Sequence, residues 1–107
     1  GIPKKEGADQ MWEAFKGYDP VFLSGVPKTR TEDTASHKRS FVNRFYPGTT
    51  LLTCYSRDKQ NFMRNKGDVL LDDRKDNCKR WNSAGGRAVF YRDYEQSIRD
   101  VVELLSQ

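Results

Sequence analysis

Residues 67–74 read Gly-Asp-Val-Leu-Leu-Asp-Asp-Arg, the most informative stretch of this chain. The branched apolar run at residues 69–71 predicts a buried strand. Two adjacent carboxylates, Asp72 and Asp73, follow where that strand ends. Because successive side chains of a strand point to opposite faces, the two carboxylates are expected to have different roles. Their oxygens suit a hard cation such as magnesium. The alternative is that Asp-Asp-Arg merely opens a solvated turn.

Helical and strand patterns alternate along the rest of the chain. Helices are predicted at residues 8–15, from Thr31 or Thr34 to residue 45, from a cap at Asp76 or Asn77 to Trp81, and from a capping box of Asp93 and Gln96 to residue 105. Strands are predicted at residues 21–23, 50–54, 69–71 and 88–91. This order indicates a three-layer α/β sandwich, in which helices cover both faces of a short, mainly parallel sheet of about four strands.

Length and composition set the class of protein. The 107 residues, of which 36% are hydrophobic and 32% charged, fit one globular domain at residues 8–107 behind a polar leader at residues 1–7. No apolar stretch approaches the roughly 18 residues of a membrane span, so no membrane partner is expected. Cys54 and Cys78 lack close spacing and a Cys/His cluster. We therefore expect reduced thiols in an intracellular, cytoplasmic protein.

Positive charge is concentrated in one third of the chain. Residues 28–66 contain nine Lys or Arg against three acidic residues, whereas the whole chain has a net charge of +4. A local basic field of this kind favours phosphate-bearing partners. An ordinary solvated surface is the alternative explanation.

Polar residues follow the ends of three predicted strands. They are Ser24, Gly25 and Lys28 after the first, Lys59 after the second, and Asp72 with Asp73 after the third. In a parallel sheet, ligands bind beyond the carboxyl ends of the strands. We therefore expect a hydroxyl, lysines and paired carboxylates to converge on one rim, where a phosphate-handling site would need them.

Three of these segments resemble motifs of the haloacid dehalogenase-like hydrolases, in their nucleotidase- and phosphatase-like branch. They are Ser24-Gly25 after an apolar strand, Arg57-Asp58-Lys59, and Leu71-Asp72-Asp73-Arg74, and the likeness extends over about residues 8–105. The resemblance implies that Ser24 hydrogen-bonds the transferring phosphoryl group and Lys59 neutralises it. Asp72 and Asp73 would hold magnesium, directly or through water. Lys28 and Lys38 would be further lysines that face the phosphate or support its site. On this basis, Asp72→Asn should weaken magnesium binding and leave the fold largely intact.

One motif of that family is missing. These hydrolases carry Asp-x-Asp at the end of their first strand, where the first aspartate attacks phosphorus and the second acts as acid and base. No Asp-x-Asp follows an apolar strand in this sequence. The resemblance therefore implies the latter part of the core domain, inactive as a phosphatase when isolated.

The missing segment is also a strand, placed in that family between the strands ending at Ser24 and at Asp72. A vacancy there would cost about 1–3 kcal/mol for each backbone group left buried and unpaired. Either the flanking strands pair directly, in a flavodoxin-like order, or another polypeptide supplies the strand. We favour direct pairing, because a chain that folds alone must satisfy its own backbone.

Two main functional hypotheses follow. The first is the phosphate- and magnesium-binding part of a phosphohydrolase, acting on or recognising a phosphorylated small molecule, nucleotide or nucleic-acid phosphate. It would be an enzyme only with an Asp-x-Asp segment supplied upstream or by a partner. The second is a non-catalytic domain of the same fold that binds protein or RNA. A weaker third is RNA binding by the basic stretch, with Tyr46, Tyr55 or Phe62 stacking on bases.

Overall fold

The computed structural model describes residues 7–107, so all of the predicted leader except Gly7 lies outside the described residues. The helices are α1 (Ala8–Phe15), α2 (Thr31–Phe45), α3 (Lys75–Ser83) and α4 (Tyr94–Leu105). The strands are β1 (Val21–Gly25), β2 (Thr50–Cys54), β3 (Val69–Asp72) and β4 (Arg87–Phe90). Two 3-10 helices, Lys16–Tyr18 and Ser56–Phe62, complete the described elements. None of the helices within residues 7–107 has the length and apolar character needed to cross a membrane.

The apolar patterns located these elements to within a few residues, but two capping predictions need correction. The backbone N–H of Gln96 donates to Asp93 Oδ1 at 2.8 Å, as the capping box requires. The side-chain Oε1 of Gln96 accepts instead from a guanidinium N–H of Arg99 at 2.9 Å, so the reciprocal half of the box does not form. Neither Asp76 nor Asn77 caps α3, which begins after Arg74 without a side-chain cap.

The strands pair in parallel, but in two separate pairs. β1 lies beside β2 with Val21 opposite Thr50, and β3 lies beside β4 with Val69 opposite Arg87. Within the described residues these are two sheets of two strands each. The mixed α/β class with parallel pairing is confirmed. The direct pairing of β1 with β3 that we favoured is wrong.

A cavity of about 590 Å³ separates the two pairs. Its lining includes residues 21–23 of β1 and residues 69–71 of β3, with large side chains such as Trp12, Phe22 and Trp81. Trp12 and Phe22 stack with ring centroids 6.1 Å apart, and the indole N–H of Trp81 donates to the Asp68 carbonyl at 2.8 Å. Because these anchored rings line the space, the two backbones cannot approach to pairing distance without displacing them.

The burial of the two cysteines and of Tyr46 bears on two further predictions, the absence of a disulfide and base stacking by Tyr46. Cys54 and Cys78 are both buried free thiols, and burial raises the pKa of each. The expectation that the two cysteines form no disulfide is therefore confirmed. Tyr46 is only 5% exposed and packs on Trp12 with ring centroids 5.0 Å apart. It is therefore not positioned to stack on a base, whereas Tyr55 and Phe62, the alternatives named by the third hypothesis, are each 40% exposed.

Candidate functional site

Asp72 is the centre of a buried polar network at the carboxyl end of β3. The residue is 6% exposed. Its Oδ2 accepts hydrogen bonds from Lys59 Nζ at 2.8 Å and from Asn77 Nδ2 at 3.1 Å. Its Oδ1 accepts from the backbone N–H of Arg74 at 2.9 Å. The Lys59 ammonium therefore compensates the buried carboxylate, and both side chains lie on the rim where the sequence predicted them.

The ends of β1, β2 and β3 meet through two small polar side chains. Ser56 begins the 3-10 helix that follows β2, and its Oγ accepts from Asn77 Nδ2 at 2.9 Å. Asn77 in turn bonds Asp72 at the end of β3. On the other side, a Cβ added to Gly25 at the end of β1 would lie 3.1 Å from the Cβ of Ser56. Glycine thus allows the end of β1 to pack closely against the start of the 3-10 helix.

Lys38 of α2 joins Ser24 to this rim. Its Nζ donates to Ser24 Oγ at 2.5 Å and to the carbonyl of Gly25 at 2.7 Å. The hydroxyl of Ser24 thus accepts a hydrogen bond, and its own proton is available to a ligand oxygen. Lys38, to which the resemblance assigned a phosphate-facing or supporting role, is the lysine that contacts Ser24.

Lys28 and Asp73 lie at the outer side of the rim. The Nζ of Lys28 is 6.0 Å from the ring centroid of Tyr55, the residue that precedes Ser56. Lys28 and Tyr55 are both exposed. Asp73 is exposed where Asp72 is buried, so the two carboxylates lie in different environments, as the alternation along a strand predicts.

The sequence predicts magnesium at this rim, where the structure places the carboxylates of Asp72 and Asp73. No group of three or more His, Cys, Asp or Glu side chains gathers anywhere in residues 7–107. Magnesium usually keeps several waters and needs only one or two carboxylates from the protein, a number that Asp72 and Asp73 can supply. Oδ1 of Asp72 accepts one hydrogen bond and retains a lone pair for a cation. A cation at Oδ2 would have to displace Lys59.

Sequence reasoning missed Ser56 and Asn77, which join the three strand ends. Asn77 was interpreted as a helix cap, yet it is 2% exposed, and its Oδ1 accepts from a guanidinium N–H of Arg80 at 2.5 Å. A signal was present, because the first turn of a helix that follows a strand lies at the carboxyl-end rim. Polar residues in that turn are therefore site candidates as well as caps.

Lowering the pH should decrease the free energy of unfolding, because it protonates the carboxylate of Asp72. Burial alone would raise the pKa of this carboxyl, but the hydrogen bonds from Lys59, Arg74 and Asn77 and the charge of Lys59 outweigh it and hold the pKa below the ordinary 3.8. A carboxyl with a lowered pKa stabilises the fold above pH 3.8 and loses that contribution as pH falls through the folded-state pKa. We expect urea unfolding to show wild type approaching Asp72→Asn in stability below pH 3.8. A stability difference that stays constant from pH 7 to pH 2 would contradict this.

Comparison of the chain with protein-family models, with curated proteins and with solved structures gives no match. Function is therefore argued from the rim itself. Its distinctive feature is that one lysine bonds the Ser24 hydroxyl and another bonds the Asp72 carboxylate, all at the carboxyl ends of parallel strands.

Proposed function

We propose that this chain is the phosphate- and magnesium-binding part of a phosphohydrolase-like domain that acts on or recognises nucleotide or nucleic-acid phosphates. The observation that carries the proposal is the Lys38–Ser24 contact, which joins a cation and a hydroxyl at a strand end. The excess of positive charge in residues 28–66 supports an anionic ligand. The resemblance to haloacid dehalogenase-like hydrolases assigns the same rim to the same ligand.

Each residue of the rim has a proposed task. Ser24 donates its hydroxyl proton to a phosphoryl oxygen, while Lys38 holds that hydroxyl by hydrogen-bonding its oxygen. Lys59 neutralises phosphate charge, and Gly25 contributes backbone to the phosphate site, while its missing side chain leaves room for Ser56. Asp72 and Asp73 hold magnesium, which when bound supplies Lewis-acid neutralisation of phosphoryl oxygens. Lys28, beside Tyr55, adds charge at the outer edge.

A nucleotide suits this rim better than a simple phosphate. The ring of Tyr55 is 40% exposed and precedes Ser56, which belongs to the polar network. A base stacked on an exposed aromatic ring gains about 1–3 kcal/mol. Phe62, also 40% exposed, ends the same 3-10 helix but lines the cavity between the two strand pairs.

We propose that this chain is only part of a phosphohydrolase-like domain, because its sequence lacks the group that attacks phosphorus. No Asp-x-Asp follows an apolar strand in the sequence, so we expect no turnover of a generic phosphate ester by these residues alone. A three-layer sandwich with a short, mainly parallel sheet of about four strands is our proposal for the completed domain. A cytoplasmic location is likewise proposed, and the free thiols of Cys54 and Cys78 support it.

Calorimetric titration with inorganic phosphate and with a nucleoside monophosphate, each with and without magnesium, tests the proposal. Lys38→Met should weaken phosphate binding about tenfold, because a hydrogen bond involving a charged group contributes about 1.5–3 kcal/mol. Lys79→Met removes an exposed lysine of α3 and is the matched control. Equal phosphate affinity in wild type and Lys38→Met would refute the role of this rim. The monophosphate should bind more tightly than phosphate, and Tyr55→Ala should remove that difference.

The second candidate, a non-catalytic interaction domain, is favoured by one observation, the apolar cavity between the two strand pairs. A domain of this type would bind a polypeptide but show no magnesium-dependent phosphate binding. The titration above therefore separates the two candidates.

A further inference from the structure

Two cations gather around one aromatic ring at the carboxyl end of β4. The Nζ of Lys75 is 5.5 Å from the ring centroid of Phe90, and the guanidinium carbon of Arg92 is 6.0 Å from the same centroid. The negative face of an aromatic ring attracts a cation. One half-buried ring therefore holds two long, exposed side chains close to each other. We refer to these three residues as the β4 cluster.

The β4 cluster lies next to Asp72. Phe90 is the partner of Asp72 in the β3–β4 ladder, and the backbone N–H of Tyr91 donates to the Asp72 carbonyl at 2.8 Å. Partner residues of a parallel ladder carry their side chains on the same face of the sheet. β1 lies on the other side of β3, across the cavity. The end of β3 therefore lies between the Ser24 site and the β4 cluster.

The two cations of the β4 cluster have no counter-charge from the protein. Among residues 7–107, no carboxylate forms an ion pair with Lys75 or Arg92. This includes Asp76 and Asp93, which follow the two cations in sequence. A guanidinium can bond two oxygens of one phosphate, and an ammonium adds a compact point charge. The β4 cluster is therefore suited to an anion that contacts both side chains.

The separation of the two anion sites decides which ligand can occupy both. Adjacent strands are about 4.8 Å apart, and Ser24 belongs to β1, which is not adjacent to β4. Two phosphoryl groups that share a bridging oxygen, as in a diphosphate, lie closer together than this spacing. Successive phosphates of a nucleic-acid strand are held apart by a sugar. A base that stacks on the exposed ring of Tyr55 must be unpaired, which requires a single strand.

We propose that the β4 cluster binds the phosphodiester that follows a terminal nucleotide, so that the rim recognises the phosphorylated end of a single-stranded nucleic acid. This inference rests on the proposed function, because the terminal phosphate must first occupy the site of Ser24 and Lys38. It adds a second phosphate subsite on the opposite side of Asp72. The preferred ligand is then an oligonucleotide end and not a free mononucleotide.

A pair of small ligands tests the second subsite. Thymidine monophosphate is compared with its derivative that carries a methyl phosphodiester on the other sugar hydroxyl, which adds the next phosphate of a strand without a second base. Thymidine diphosphate is the matched control, because it has the same formal charge as the derivative when fully ionised. In calorimetric titrations with magnesium, the derivative should bind about tenfold more tightly than the monophosphate, and the diphosphate less than about threefold more tightly. The additional phosphate contact should also make the salt dependence of binding steeper by about 0.7 in the log–log slope.

Variants of the β4 cluster locate the extra affinity. Lys75→Met combined with Arg92→Met should lower the affinity for the derivative to that for the monophosphate and remove the additional salt dependence. Affinity for the monophosphate should stay within about twofold of wild type, because the first site is unchanged. Lys79→Met, at another exposed lysine of α3, should alter neither affinity.

Three results would overturn the inference and leave the proposed function standing. They are equal affinity for the derivative and the monophosphate, an equal gain with the diphosphate, and a gain that persists in the double variant. Loss of monophosphate binding in the double variant would also overturn it, because the two cations would then serve the first phosphate. Absence of monophosphate binding to the wild-type protein would refute the proposed function and this inference together.

Discussion

Replacing Asp72 by asparagine is expected to lower the free energy of unfolding by about 3 kcal/mol at pH 7, because it leaves the Lys59 ammonium in a largely buried position without its counter-charge. The Lys59 and Asp72 side chains are 13% and 3% exposed, with Nζ and Oδ2 2.8 Å apart. This replaces the expectation that the fold would tolerate the change. That expectation assumed two carboxylates repelling each other, whereas Lys59 already neutralises Asp72.

Urea denaturation of four variants measures the effect. Asp73→Asn changes the exposed neighbouring carboxylate and should shift the unfolding free energy by less than about 0.5 kcal/mol. Lys59→Met leaves Asp72 buried without its cation and should cost about as much as Asp72→Asn. The double variant should be markedly more stable than the sum of the two losses predicts, because no unpaired charge remains. Additive losses would show that the pair does not interact as described.

Replacing Asn77 by leucine, a side chain of similar size, should lower the free energy of unfolding by about 2–3 kcal/mol. The substitution removes partners from three groups at once: Asp72 Oδ2, Ser56 Oγ and a guanidinium N–H of Arg80. Each buried group left unsatisfied costs about 1–3 kcal/mol, partly offset by the added apolar burial. Loss of the amide donor should also raise the pKa of Asp72 towards its ordinary value, because that hydrogen bond helps to lower it.

The control for Asn77 is Asn61→Leu, at an exposed position of the 3-10 helix Ser56–Phe62. Thermal and urea unfolding of this variant should match wild type closely. Stability in Asn77→Leu equal to that of Asn61→Leu would show that the network contributes nothing to the fold. A titration of Asp72 by NMR provides the second readout, since a residue that only fills space would leave its pKa unchanged.

Lys59 links the two roles of the rim. As the counter-ion of Asp72 it stabilises the fold, and as a proposed phosphate ligand it must present its charge to an anion. If Asp72 holds magnesium, the cation would supply counter-charge to this carboxylate, and Lys59 would be the residue that carries positive charge to phosphate. The acid, stability and titration experiments therefore probe one electrostatic network from three directions.

The sequence by itself determined the helices and strands. It also determined that the polar site residues lie at the carboxyl ends of the strands. Apolar residues at helical or strand spacing specify buried faces, so β2 was located exactly as residues 50–54, and Asp72 was placed at the end of β3. The parallel arrangement then brought Lys59 to Asp72, because carboxyl ends of parallel strands share a rim. These features depend on short-range patterns, which the order of residues encodes directly.

Only the tertiary structure decided which side chains meet and whether the strands form one sheet. Lys38 rather than Lys28 contacts Ser24, because α2 directs the lysine of its second turn onto the end of β1. Asn77 became part of the site because the turn after β3 is short enough to bring the start of α3 beside Asp72. The separation of β1 from β3 depends on large rings from distant parts of the chain that line the space between them. Contacts of this kind depend on three-dimensional packing among remote segments, which no local pattern records.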